Sequence, residues 1–216
     1  TYSLGYKLRA LAHVVFTDSK QGVLQNALDS TWHEQSGMGV RMEIDNVVAF
    51  QARERALREP AARAPGVYQG LFPQAFKTMG HLPAHLFRSR LTSSECLFQV
   101  EYKGERGIDA GGLYRDCFTR MVEDLFSPCF DLFVLCANGR DKRGTNMDKY
   151  VPNPRRTSPE SLAMFEFAGR LMGATLRHRA YQPFDLPPVV WKLILEDAPT
   201  PADLASFDLA ASERLD

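Results

Sequence analysis

The stretch Val100-Glu101-Tyr102-Lys103-Gly104-Glu105-Arg106-Gly107-Ile108-Asp109-Ala110-Gly111-Gly112-Leu113-Tyr114-Arg115-Asp116 joins two kinds of periodicity. Upstream, Cys96 to Lys103 alternates apolar and polar residues, with Leu97 or Phe98, Val100 and Tyr102 turned toward a core, which is the pattern of a half-buried strand. Downstream, Tyr114, Cys117, Phe118, Met121, Val122 and Leu125 recur at helical spacing. Arg115, Asp116, Thr119, Arg120, Glu123 and Asp124 take the opposite face, with Asp116 and Arg120 placed for an i,i+4 ion pair. Gly107 to Gly112 joins a strand to a helix start as a phosphate loop does. It lacks both the Lys-Ser/Thr pair and the G-x-G-x-x-G spacing, so no nucleotide site is expected. Asp109 serves better as an acceptor for the free N–H groups that open a helix, with the glycines permitting a turn or close packing.

Working outward, Leu4, Leu8, Leu11 and Val15 predict one helix, and Leu24, Ala27, Leu28 and Thr31 a second. Val40, Met42 and Ile44 alternate with Arg41 and Glu43 as a short strand. Residues 51–64 hold four arginines among alanines and glutamates and read as an exposed, weakly helical linker. Interleaved Glu54 and Glu59, with no aromatics between the arginines, argue against a nucleic-acid arm. Leu71, Ala75, Phe76 and Met79 predict a helix that tolerates Pro73 near its first turn. Asp131 to Cys136 and Tyr150-Val151 read as strands flanking a polar loop from Asn138 to Lys149. Ser158-Pro159-Glu160 opens the best-marked helix: a capping serine, proline at the first helical position and an acid in the first turn. Its apolar residues fall on two faces, Leu162/Phe165/Met172/Leu176 and Met164/Phe167/Leu171, which predicts central burial with Gly169 and Gly173 at close helix contacts. Leu186 to Leu195 and Thr200 to Phe207 predict two further helices. The fold class expected is α+β, mostly helical, with a few short antiparallel strands. The domains expected are a helical lead-in and Arg/Ala-rich linker over 1–66, and a body over 67–216.

With 44% hydrophobic and 24% charged residues, the composition is that of a globular chain, not a disordered or fibrous one. Lys plus Arg and Asp plus Glu both number 26, so there is no excess positive charge to draw the chain to nucleic acid or acidic membranes. No run approaches the ~20 apolar residues that span a bilayer, and the opening residues lack the order of a secretory signal. Cys96, Cys117, Cys129 and Cys136 form no C-x-x-C pair, so reduced thiols and a cytoplasmic or nuclear setting are expected. The start at Thr1 and the end at Asp216 give the expectation of a piece of a longer protein.

His81 and His85 share the spacing of a metal-binding helix face, but Pro83 separates them and no Glu follows His81, so no metal site is expected. His13, His33 and His178 have no partner at useful spacing. Cys117 and Cys136 lie in apolar patterns that disfavour a thiolate. Cys129, after Pro128 in a turn, reads as the most exposed thiol, and nothing marks a base beside it. No catalytic, cofactor-binding or metal-ligating residue is assigned.

The opening stretch resembles the F-x-G-E-x-G-x-D-x-G-G-x-x-R-E/D signature of the amino-terminal lobe of HECT-type ubiquitin ligases. Asp131-Leu132-Phe133 resembles that family's G-L-F or D-L-F strand, and Val151-Pro152-Asn153-Pro154 its N-P turn. Phe165 to Gly173 is similar to its F-x-F-x-G-R-x-x-G helix, and Pro188 to Leu195 to its F/W-K-x-L segment. The resemblance covers about Val67 to Asp208, and residues before Val67 are similar to the lead-in of large multi-domain members. It implies a transferase that receives ubiquitin from a conjugating enzyme on a cysteine thioester and passes it to substrate lysines. It also implies that the cysteine lobe and the docking subdomain belong after Asp216. None of the four cysteines here matches the nucleophile, so this piece alone is expected to be inactive. The alternative from a different class is a non-catalytic ubiquitin- or protein-binding module.

Overall fold

The computed structural model describes Val14 and residues 16–32, 40–89, 96–104 and 112–215. In chain order the described elements begin with α1 (Thr17–Asp29), β1 (Val40–Ile44), α2 (Asn46–Arg58), α3 (Leu71–Met79) and β2 (Phe98–Tyr102). They continue with α4 (Gly112–Leu125), β3 (Phe133–Leu135), α5 (Ala137–Asp141), β4 (Tyr150–Pro152), α6 (Pro159–Arg177), α7 (Pro188–Ile194), α8 (Pro201–Ala205) and α9 (Leu209–Ser212). Single 3₁₀ turns stand at Pro60–Arg63 and Ala84–Arg88. The architecture is α+β and mostly helical, as the sequence predicts.

The strand arrangement departs from the expectation of antiparallel pairing. The strands form two separate pairs, and only β3–β4 is antiparallel; β1 and β2 run parallel, with Val40 opposite Phe98 and Ile44 opposite Tyr102. Parallel neighbours need a long crossover, and the connection here carries α2 and α3. Two strands alone are marginal in water. Both pairs therefore depend on helices: Met42, Ile44, Phe98, Val100 and Tyr102 are buried in the same core as the apolar stripe of α4. In that stripe Cys117, Phe118 and Met121 are wholly buried. Residues 51–58, read as part of a weakly helical linker, belong to α2, which buries Ala49 and Ala56.

The centre of the core is aromatic. Phe167 of α6 packs on Phe72 at 5.3 Å between centroids, on Phe76 at 5.7 Å and edge-on to Phe87 at 6.0 Å. Such pairs each add ~0.5–1.5 kcal/mol beyond the area they bury. Ser158 caps α6 as expected, its hydroxyl accepting from the Ser161 N–H. The expectation of burial on two faces fails: Met164, Phe167 and Leu171 are buried, but Leu162 and Leu176 are more than half or half exposed. Gly169 and Gly173 lie on that outer face, where an added Cβ meets nothing within 4 Å. Between Leu162 and Leu176, Phe165 and Met172 are partly buried against the core, so the second stripe is buried only at its middle. At the far end of α6, the Arg177 guanidinium donates to Leu28 O at 3.0 Å and Thr31 Oγ1 at 2.7 Å, which fastens α1 to the body.

Candidate functional site

Helical arithmetic places a carboxylate where charge is least expected. Asp124 stands seven residues after Cys117 and three after Met121, so it falls on the buried stripe of α4 and not on the polar face assigned to it from charge. It is 5% exposed. Its Oδ1 accepts from the Tyr68 hydroxyl at 2.5 Å and its Oδ2 from the Phe72 N–H at 3.1 Å. The second bond satisfies one of the free N–H groups at the start of α3, so α4 caps α3 across 52 residues. Gly70 makes the approach possible, because a Cβ there would lie 2.3 Å from Asp124 Oδ2. Burial pushes the Asp124 carboxyl up to about 6, against the opposing pull of the Tyr68 and Phe72 hydrogen bonds and of the Arg53 charge. The same burial, with the Asp124 charge beside it, holds the Tyr68 phenol far above its ordinary range.

Above this buried pair, Tyr68 also lines an open groove of about 220 Å³ between α2 and the segment from Ala62 to Gln69. Val48, Ala52, Ala62 and Val67 contribute apolar lining, and Gln51 and Arg55 polar lining. The Arg55 guanidinium pairs with Glu59 at 2.8 Å.

Among the described residues the cysteines offer little nucleophilic chemistry. Cys117 and Cys136 are wholly buried, as their patterns imply. Cys129 corrects the sequence reading: it is 1% exposed, because residues 126–133 fold inward with Phe126, Phe130, Leu132 and Phe133. Burial pushes its thiol up, which leaves less thiolate for attack. Cys96 is half-buried. His81 and His85 are both exposed. Among the described residues no group of three or more His, Cys, Asp or Glu is placed to hold a metal, and no helix is long and apolar enough to cross a membrane. Asp109 and residues 105–111 of the signature lie outside the described residues, as do His13 and His33; Arg115 is exposed on α4. The Asp116–Arg120 pair forms at 3.6 Å, and the Tyr102 hydroxyl donates to Asp116 at 2.8 Å, tying β2 to α4.

A second polar centre joins the C-terminal helices to the body. The Asn138 amide donates to Thr145 O at 3.0 Å and Ala205 O at 3.1 Å, and its carbonyl accepts from Leu209 N–H at 2.7 Å. Beside it, Thr200 and Asp203 form a capping box at the start of α8, and Lys192 of α7 donates to Asp203 at 2.8 Å. Sequence reading anticipated the helix at α8 but not the role of Asn138, which it placed in a polar loop.

What these centres do is position helices. Comparison with known proteins adds the following similarities. Residues 119–216 match the family model described as HECT-domain (ubiquitin-transferase). The E3 ubiquitin-protein ligase HERC2 of Mus musculus is 24% identical over 198 residues, which covers 92% of this chain and 4% of that protein. The probable E3 ubiquitin-protein ligase TOM1 of Eremothecium gossypii is 31% identical over 114 residues, 51% of this chain and 3% of that protein. The E3 ubiquitin-protein ligase pub1 of Schizosaccharomyces pombe is 29% identical over 128 residues, 58% of this chain and 16% of that protein. The chain thus spans a small fraction of each relative's length. Through residues 119–216 the chain is similar to the HECT-domain (ubiquitin-transferase) family.

Proposed function

We propose that this chain is the scaffold part of the amino-terminal lobe of a HECT-type ubiquitin ligase. In that ligase a conjugating enzyme delivers ubiquitin to a catalytic cysteine as a thioester, and the ligase passes it to substrate lysines in the cytoplasm or nucleus. The nucleophile lies on a separate lobe outside these residues, and this lobe supplies a rigid support for it and for the docking of the conjugating enzyme. The observation that carries the reading, beside the family match, is that three of the four thiols are buried within the core, and the fourth, Cys96, is half-buried.

The test supplies the chain with activating enzyme, charged conjugating enzyme and ubiquitin, and resolves the products on a non-reducing gel. The expected outcome is no reducible ubiquitin adduct on this chain, because attack needs an exposed thiolate held close to the donor. An adduct lost on reduction, and absent from a Cys96→Ala variant, would overturn the scaffold reading and make the piece a transferase by itself.

A further inference from the structure

We propose that Ser158 is a phosphorylation site for a proline-directed protein kinase. The described residues contain three hydroxyl residues followed by proline: Ser127-Pro128, Ser158-Pro159 and Thr200-Pro201. The structure separates them. Ser127 is 5% exposed and closed to an enzyme. Thr200 is exposed, but its Oγ1 already donates to the Asp203 carboxylate at 2.7 Å, which would repel an incoming phosphoryl group. Ser158 is exposed, and its Oγ has only the neutral partners Ser161 N–H at 3.2 Å and Ser161 Oγ at 2.9 Å.

The presentation of the segment also fits. Asn153 is buried and anchors the strip: its N–H donates to Leu132 O and its amide to Asp131 O. Beyond this anchor Pro154, Arg155, Thr157, Ser158, Pro159 and Glu160 are all exposed. Ser158 itself has extended backbone, φ −64° and ψ 152°. Arg155 and Arg156 precede the acceptor as an arginine-directed kinase would want. Arg156, however, is engaged by the Asp131 carboxylate and its side chain is 29% exposed, whereas Pro159 stands open. Arg155 is exposed as well, and of the two open determinants the proline is the one directly beside the acceptor. In the transfer, Ser158 Oγ attacks the γ-phosphorus of ATP and the O–P bond forms as the bond to the bridging oxygen breaks. ADP leaves, and the hydroxyl proton passes to the kinase's general base.

The test incubates the chain with a purified proline-directed kinase and Mg-ATP, and in parallel with an arginine-directed kinase, and maps phosphate by tandem mass spectrometry. The expected result is label on Ser158 from the first enzyme, none on Ser127 or Thr200, loss of label in Ser158→Ala and at least a tenfold drop in Pro159→Ala. No label on Ser158, unchanged labelling of Pro159→Ala, faster labelling by the arginine-directed enzyme, or label on Thr200 instead would each overturn the proposal.

Discussion

Replacing Asp124 by Asn removes a proton-binding group from the core while keeping its shape, and the consequence can be worked from the structure. The native carboxyl titrates at about 6, against 3.8 for an unperturbed group, so the folded chain holds this proton more tightly than the unfolded chain does. Stability from this source is fully present below pH 3.8 and is lost as pH rises through about 6. Cooling the argument to two accessible conditions, the wild-type chain should gain about 1.3 kcal/mol from Asp124 between pH 7 and pH 5, roughly tenfold in the folding constant. Other titrating groups contribute equally to wild type and variant, so the difference of differences isolates this one. At pH 7 the variant sheds a buried charge but gives Tyr68 O–H and Phe72 N–H one acceptor oxygen to share; stranding one of them costs ~1–3 kcal/mol. The absolute change is therefore a near balance, and the pH dependence is the informative quantity. The assay is urea unfolding of both chains at pH 5 and pH 7. Equal pH dependence in the two would refute the claim that Asp124 is buried as a carboxylate capping α3.

Gly173→Ala should raise stability by ~0.5–1 kcal/mol, because its added methyl meets no neighbour and helix propensity alone decides the sign; a lowered midpoint would return the residue to the core. Asn138→Ala strands Leu209 N–H and the Thr145 and Ala205 carbonyls, so amide hydrogen exchange in 201–212 should quicken at least tenfold while the core amides of α4 keep their protection. Iodoacetamide should modify Cys96 first in the native chain and reach Cys117, Cys129 and Cys136 only on unfolding, with the order read by peptide mass spectrometry.

Patterns with one strong period were legible in the sequence. The alternation of Phe98, Val100 and Tyr102 and the stripe from Tyr114 to Leu125 gave β2 and α4, because each had a single apolar face to bury. The misreadings came where residue type and position disagreed. Asp124 occupies a core position by spacing and was assigned outward by charge; its distance of seven from Cys117 was the available signal. Gly169 and Gly173 were placed inside because their neighbours are apolar, although Leu162 and Leu176 face outward. Cys129 was placed outside by the proline before it, although Phe126, Phe130 and Phe133 around it mark a segment that turns in. Local alternation also carries no information about which way a partner strand runs, so the parallel sense of β1 and β2 was beyond it.

The pairing of β1 with β2 sets a timetable for synthesis. Val40 and its partner Phe98 are about 58 residues apart, and at ribosomal speeds of 5–20 residues per second β1 emerges some 3–12 s before the strand it must join. Throughout that interval Met42 and Ile44 have no sheet to enter, and the strand presents an open edge of the kind that seeds association with other nascent chains. A folding helper acting on this lobe would find its substrate in that window, and a slowed ribosome anywhere between α2 and β2 would lengthen it.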